Sequence, residues 1–171
     1  PAAPARTRNY GYYAPGNTVL REAEGGTATT VRQTFDPLGR KLSIQSVSAT
    51  DRFVDIVQRY DLRGNLAWIQ EDYPGDQIPD RILTLRYDGA NRLVEETIAE
   101  VEMESGQIYQ TLNTVQTHYA YDTAHNRIRK EVTGSAPWIY SYNNPLNQID
   151  SAFADANGNE QRDPGEDYRT Y

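Results

Sequence analysis

The sequence predicts an all-β protein made of successive antiparallel hairpins, with little or no helix. Short runs of aromatic and β-branched residues alternate with polar residues at a period of two, and one such run carries Leu83, Leu85 and Tyr87 on one face. A turn motif recurs where these runs end. The aromatic residues are mostly Tyr, 13 against 3 Phe and 2 Trp. Tyr suits a half-wetted sheet, because its ring packs while its hydroxyl stays hydrogen-bonded.

The turn motif reads aromatic residue, Asp or Asn, two or three variable residues, Gly or Asn, a polar or basic residue, then Leu or Ile. In its clearest copy Tyr60 ends a strand, Asp61 can accept hydrogen bonds from its own turn, and Gly64 can adopt a positive φ. The copies begin with the pairs Phe35 and Asp36, Tyr60 and Asp61, Tyr87 and Asp88, Tyr121 and Asp122, and Tyr142 and Asn143. The Gly or Asn positions are Gly39, Gly64, Asn91, Asn126 and Asn147. The aromatic residues are 25, 27, 34 and 21 residues apart (60−35, 87−60, 121−87, 142−121), which indicates one supersecondary unit repeated along the chain.

We predict three segments. Residues 1–26 are expected to be irregular, with a possible degenerate copy of the motif at residues 13–17. Residues 27–150 form the repeat sheet, and residues 151–171 hold a loop and the start of a further strand. The strands of the repeat sheet are expected at 27–35, 41–48, 53–60, 65–71, 81–87, 92–102, 108–121, 127–133 and 138–142. The run 92–102 is assigned to a strand, although its Ala, Glu and Met also suit a short helix.

Charge and composition narrow the classes of partner. The formal net charge is −7, which disfavours nucleic acid because the phosphate backbone repels an acidic surface. No apolar run approaches the length of about 18 residues that a membrane helix needs. The sequence has no Cys, which excludes disulfides and zinc–thiolate sites. Because the chain starts without Met and ends on a strand-like run, we expect a piece of a longer extracellular repeat protein.

The motif copies resemble the tyrosine–aspartate (YD) repeats of the Rhs/teneurin/insecticidal-toxin-C superfamily, over roughly residues 31–149. The resemblance implies hairpins that wind as a continuous curved or spiralling sheet, a partial YD-repeat shell of the kind that encloses a cargo polypeptide in toxins. It also implies that the strand-end aromatic residues stack along the spiral and that the Gly or Asn positions form the turns. The self-cleaving core segment in which toxin-type shells of this family end has no match here, so autoproteolysis is not expected.

Residues 155–166 form a second motif, which matches the spacing of a twelve-residue calcium loop. Oxygen ligands are expected at loop positions 1, 3, 5, 7, 9 and 12, which are Asp155, Asn157, Asn159, Gln161 (through its backbone carbonyl), Asp163 and Glu166. The motif resembles the calcium loops of dockerins and of extracellular bacterial repeats. Glu160 stands at position 6, where Gly normally permits the sharp bend. We expect a structural calcium ion held weakly, with a dissociation constant on the order of 10⁻⁴ to 10⁻³ M.

No arrangement of titratable residues predicts an active site, and we expect the module to be non-enzymatic. His118 and His125 lie beside or in a repeat turn without metal-ligand spacing. The acidic pair Glu95 and Glu96 is interpreted as a hydrated strand face rather than a glycosidase pair. The sequence contains neither a Gly-x-Ser-x-Gly elbow nor a phosphate-binding Gly loop.

Aromatic and basic residues leave one alternative open. The stripe Trp138, Tyr140 and Tyr142 could stack sugars, although packing between hairpins is the preferred interpretation. The basic residues that follow the turns are expected to pair with neighbouring Asp side chains; they are Arg40, Arg92 and Arg127.

These features together predict a structural repeat module of a secreted or cell-surface Rhs-like protein, which acts as a scaffold or shell, in adhesion or in toxin encapsulation. Its expected partners are the remainder of a longer repeat chain or identical subunits, with a possible glycan or cell-surface partner. One alternative is a self-assembling extracellular fibre or surface subunit that uses open sheet edges. Another is a carbohydrate-binding domain.

Overall fold

The computed structural model describes residues 7–12, 17–24, 27–48, 52–72, 79–104, 107–142 and 146–171. All regular secondary structure within these ranges is β-strand, and no helix occurs in them. The strands form one open 13-stranded sheet in which the spatial order follows the chain order. Successive strands pair antiparallel. The prediction of an all-β fold built from consecutive antiparallel hairpins is therefore confirmed.

The strands, numbered in chain order, are β1 Thr7–Tyr12, β2 Asn17–Glu24, β3 Thr27–Phe35, β4 Lys41–Ser48, β5 Arg52–Tyr60, β6 Leu66–Asp72, β7 Arg81–Tyr87, β8 Leu93–Glu104, β9 Gln107–Tyr121, β10 Arg127–Val132, β11 Trp138–Ser141, β12 Ser151–Ala154 and β13 Tyr168–Thr170. The bounds of β3, β4 and β7 are those that the sequence predicts. The run assigned to a strand rather than a short helix is β8.

The N-terminal segment differs from the irregular structure expected for residues 1–26. Strand β1 pairs with β2, and β2 pairs along its whole length with β3. A partner strand satisfies the backbone groups of a segment whose own alternation is weak, so the sheet overrides local preference here. Residues 13–16 of the possible repeat copy at 13–17 lie outside the described residues, and Asn17 begins β2. Strand β12 is a second difference, since it lies in the segment expected to be a loop.

Three of the repeat turns close in the same register. Phe35 pairs with Lys41, Tyr60 with Leu66, and Tyr121 with Arg127. The register then shifts by one residue beside each of these pairs, so a β-bulge accompanies the turn. A bulge increases the local twist and re-aims the neighbouring side chains. The recurring motif therefore specifies both the turn and the bulge that follows it.

The chain divides into two compact units. The first comprises Pro1–Thr84 with Ala99–Thr114, and the second comprises Leu85–Ile98 with Val115–Tyr171. The turns that begin at Asp36 and Asp61 belong to the first unit. The second unit contains the turns that begin at Asp88 and Asp122, together with the C-terminal loop.

Few of the described side chains are fully buried. The buried apolar residues among them are Val101, Ala152 and Phe153, and the buried polar residues are Asp72, Thr117 and Asp155. Most other side chains on the described strands are half-buried. Backbone ladders and contacts between neighbouring strands therefore carry a large share of the stability of this sheet.

Candidate functional site

The carboxylate of Asp61 organises the second repeat turn. Its Oδ1 accepts the backbone N–H groups of Arg63 at 2.9 Å and Asn65 at 2.8 Å, and its Oδ2 accepts the Asn65 side-chain amide at 3.0 Å. The Asp61 N–H donates to the Asn65 carbonyl at 2.8 Å, and the Gly64 N–H donates to the Asp61 carbonyl at 3.1 Å. One aspartate thus bonds to backbone groups on both sides of the turn, as Asp does in Asx-type turns.

The other Asp turns repeat this geometry. Asp88 Oδ1 accepts the N–H groups of Ala90 at 2.8 Å and Arg92 at 3.0 Å, while its Oδ2 accepts Arg92 Nε at 2.7 Å. In the first turn Asp36 Oδ2 accepts Arg40 Nε at 2.6 Å. The sequence-based expectation that these two arginines pair with the neighbouring Asp is therefore confirmed. In the fourth turn an asparagine, Asn126, replaces the arginine.

The residue three positions after each turn Asp has a left-handed backbone conformation, with a positive φ. The φ angles are 77° at Gly39, 91° at Gly64, 61° at Asn91 and 69° at His125. The motif alignment assigned this position in the fourth copy to Asn126, and the structure corrects it to His125. Asn126 instead takes the place of Asn65, because its Nδ2 donates to Asp122 Oδ2 at 2.8 Å. His125 is thus a turn residue, as the sequence suggested.

The hydrogen bonds keep the turn carboxylates ionised. Burial raises the pKa of Asp36 and Asp61, but hydrogen bonds from the backbone and from the Arg40 or Asn65 side chain outweigh it, so both pKa values lie below the ordinary 3.8. The backbone N–H of Arg92 is the main cause of the lowered pKa of Asp88. The side-chain amide of Asn126 is the main cause for Asp122.

The tyrosine of one repeat bonds to the backbone of the preceding repeat. Tyr60 Oη donates to the Lys41 carbonyl at 2.9 Å, in the first unit. In the second unit Tyr121 Oη donates to the Leu93 carbonyl at 2.8 Å, and Tyr142 Oη donates to the Arg127 carbonyl at 3.1 Å. Each accepting carbonyl belongs to the first strand residue after a turn. We call this contact the tyrosine–carbonyl bond.

Two arginines strengthen the same contact. Arg40 stacks over the Tyr60 ring at 4.6 Å and Arg92 over the Tyr121 ring at 4.8 Å, while each also pairs with its own turn Asp. Arg127 differs from the expectation that it pairs with Asp. It lies between the rings of Tyr119 and Tyr140.

Tyr121→Phe is expected to lower the free energy of unfolding by about 0.5–1.5 kcal/mol, the net contribution of one hydrogen bond. The ring and its stacking on Arg92 remain, so the hydroxyl alone is tested. Urea unfolding monitored by circular dichroism gives the value. Tyr171→Phe is the matched control, because Tyr171 is 69% exposed. Equal effects of the two changes contradict a structural role for the tyrosine–carbonyl bond.

The fifth repeat is described in part. Asn143 lies outside the described residues, while Asn147 has a φ of 55°. The amides of Asn147 and Asn126 exchange two hydrogen bonds of 2.8 Å each. Tandem turns are therefore joined by side chains as well as by the sheet.

The C-terminal loop is folded around Asp155, which is 1% exposed. Its Oδ1 accepts the N–H groups of Gly158 at 2.8 Å and Asn159 at 3.1 Å, and its Oδ2 accepts the N–H of Glu160 at 3.0 Å. Glu160 has a φ of 58°. The loop therefore makes at Glu160 the left-handed bend that Gly makes in calcium loops.

Three other expected ligands, Asn157, Asn159 and Glu166, contact Asp163. Its Oδ2 accepts the amide Nδ2 of Asn157 at 2.6 Å and of Asn159 at 2.7 Å. Glu166 accepts the N–H groups of Ala156 at 2.8 Å and Asp163 at 2.9 Å. In the described part of the chain, no group of three or more His, Cys, Asp or Glu side chains is arranged to hold a metal ion.

The histidines are not gathered into a common site. His118 Nδ1 lies 3.9 Å from Glu95 Oε2, which also accepts Arg86 Nη1 at 3.1 Å. His125 Nδ1 lies 3.4 Å from Arg92 Nη1.

No helix within the described ranges is long and apolar enough to cross a membrane.

The fold and these turns define an all-β repeat module whose hairpins are joined through their strand-end tyrosines. No protein-family model matches the sequence, and no curated protein matches it. Among solved structures the chain is similar to the Tc holotoxin pore of Photorhabdus luminescens that carries a mutation in TccC3. The two are 19% identical, the TM-score is 0.38, and the match covers 81% of this chain and 8% of that chain.

Proposed function

We propose that this chain is a non-enzymatic structural module of a secreted or cell-surface Rhs-like protein. Its consecutive hairpins form a length of scaffold or shell wall that serves adhesion or the enclosure of a cargo polypeptide. Its partners in this role are further repeats of the same chain or identical subunits. The tyrosine–carbonyl bond carries the proposal, because three turns present a carbonyl that the tyrosine of a following hairpin binds.

The half-buried strand faces support the same role. Most of the described strand side chains are half-buried. In linear repeat proteins each unit shares its stability with the units beside it.

Electron microscopy of the full natural polypeptide that contains this sequence tests the proposal. We expect the 171 residues to lie within a continuous β wall whose strand order runs on from β1 or β13. A separate closed domain with its own catalytic cleft is the contrary result. Hydrolytic activity of the purified chain that a single Asp→Asn or Glu→Gln change abolishes also overturns the non-enzymatic role.

A self-assembling fibre or surface subunit is a second candidate, favoured by the edge strand β13. Its residues Tyr168, Arg169 and Thr170 are exposed, and among the described strands it pairs with β12 alone. An edge strand offers unpaired backbone groups to another chain. Fibres seen by light scattering and electron microscopy, and suppressed by Arg169→Pro, favour this candidate over a module within a longer wall.

We also propose that the C-terminal loop binds calcium as a structural ion. Its donor set of three carboxylates, two amide oxygens and one backbone carbonyl is the chemistry that calcium prefers. The left-handed bend at Glu160 supports the fit. The amides of Asn157 and Asn159 must rotate their oxygens inward, and this cost accords with weak binding. Asp155, Asp163 and Glu166 supply the charge.

Calcium is expected to stabilise the chain against thermal unfolding. At ten times the dissociation constant the gain is about 1.4 kcal/mol, if only the folded chain binds. Differential scanning calorimetry with calcium and with magnesium measures it, and limited proteolysis reports on the loop. Glu166→Gln is expected to abolish the gain, whereas Asp167→Asn, at the exposed neighbouring residue, retains it. An unchanged melting temperature at 10 mM calcium, about ten or more times the expected dissociation constant, rejects the site.

A further inference from the structure

One face of the sheet in the second unit is lined by cations and aromatic rings. Strand register places Tyr119 beside Lys130, and Lys130 beside Trp138. Arg127 stacks on the Tyr140 ring at 4.8 Å, and Arg169 on the Trp138 ring at 4.7 Å. We call this surface the cation–aromatic face, and its members are Tyr119, Arg127, Lys130, Trp138, Tyr140 and Arg169.

The cations of this face have no carboxylate partner among the described residues. Arg127 and Arg169 each contact an aromatic ring. Neither they nor Lys130 form an ion pair with a described carboxylate. The carboxylate at the margin, Glu96, accepts the Tyr119 hydroxyl at 3.2 Å. Three cations outside any ion pair on one face are unusual in a chain whose net charge is −7.

The opposite face of the same strand shows the contrast. Arg129 is paired with Glu131 at 3.3 Å and with Glu160 at 2.8 Å. A bulge between Arg127 and Arg129 turns these two residues to opposite faces. The cations that form no ion pair therefore lie on one face, whereas the cation on the other face of β10 is paired.

Stacking leaves the guanidinium donors available. A guanidinium in contact with a ring through its π-face still has N–H groups, which can bind a carboxylate in a bidentate way. The stacked cations also cover ring surface that a sugar or a base would need. The surface is therefore suited to separate anionic groups rather than to stacking ligands.

We propose that the cation–aromatic face docks an acidic polypeptide segment of another protein, in extended conformation. Arg127 lies on β10 and Arg169 on β13, three strand spacings apart, which is about 14 Å. An extended peptide spans about the same distance between acidic residues i and i+4. Tyr140 and Ala152 lie between the two cations.

A fluorescence titration tests this docking. Trp68→Phe leaves Trp138 as the reporter, and the probes are a twelve-residue peptide with Glu at positions i and i+4 and a twin with Gln at both. We expect the Glu peptide to bind at least about tenfold more tightly than its twin, with binding weakened by salt. Arg127→Gln and Arg169→Gln are each expected to weaken binding about tenfold. Arg129→Gln, on the opposite face, is the matched control and leaves binding unchanged.

Other outcomes overturn the proposal. These are absent binding, equal binding of the two peptides, equal effects of the Arg129 and Arg169 changes, and preferential binding of a sulfated glycan. Self-association in analytical ultracentrifugation that Arg169→Gln abolishes assigns the face to a second copy of the chain instead. Circular dichroism verifies folding, and Arg169→Gln on the exposed edge strand decides the matter if Arg127→Gln unfolds. The fluorescence titration measures peptide binding and does not depend on the scaffold role. The docking proposal and the proposed scaffold function can therefore each fail without the other.

Discussion

Gly64→Ala is expected to lower the free energy of unfolding by about 1–2 kcal/mol, the cost of a left-handed conformation in a residue with a Cβ. Gly64 has a φ of 91°. The added Cβ would lie 3.6 Å from Arg40 Nη1, an ordinary contact, so the backbone and not the available space decides the result. Gly64→Val is expected to cost more, since a β-branched residue is less tolerant of positive φ. Urea unfolding at neutral pH measures both variants.

Gly89→Ala is the matched control for this experiment. Gly89 also lies in a repeat turn, but its φ is not positive and a Cβ there would meet nothing within 4 Å. We expect a change near zero or a small gain, because Ala restricts the unfolded chain. If Gly64→Ala is as well tolerated as Gly89→Ala, the left-handed residue is not what closes the repeat turn.

The turns were predictable because the decisive interactions are local. Asp61 bonds to groups two and four residues away, and Gly64 supplies the conformation that the same short segment requires. The strand bounds of β3, β4 and β7 were also predictable, since regular alternation and a turn motif mark where each begins or ends. The expected calcium ligands Asp155 and Asp163 lie in one folded loop, but an ion site there is still a prediction.

Other features depend on contacts that a linear pattern does not contain. Strands β1 and β2 form because they hydrogen-bond to neighbouring strands. Their own sequences show only weak alternation of apolar and polar residues. His125 rather than Asn126 takes the left-handed position. The turn places this position three residues after Asp122, whichever residue stands there, so the preference of Asn for positive φ does not determine it. The stacking of Arg127 between two tyrosines requires strands β9 and β11 on either side of β10. The basic residue after each turn was recognisable in the sequence. For Arg127, however, the sequence predicted an Asp of the same turn as its partner, and not the tyrosines of the neighbouring strands.

Stability is expected to fall as the pH drops below about 4. The pKa values of Asp36, Asp61, Asp88 and Asp122 are all lowered from 3.8 in the folded chain. A depressed pKa means that the unfolded chain takes up protons at a higher pH than the folded chain does. The contribution of each carboxylate is therefore fully present well above 3.8. It is lost as the pH falls through the folded value.

Urea midpoints between pH 6 and pH 2.5 measure this loss, and turn variants assign it. Asp88→Asn is expected to reduce stability at pH 6, because Arg92 loses its charged acceptor, and to flatten the decline in acid, because one linked proton is removed. Glu102→Gln changes an exposed strand carboxylate and is the control, with the decline retained. A decline that is as steep in Asp88→Asn as in the unaltered chain shows that the acid sensitivity arises outside the repeat turns. The ionisation of the turn carboxylates would then not contribute to the free energy of unfolding. Their hydrogen bonds would stabilise the fold no more than those of an ordinary exposed Asx turn.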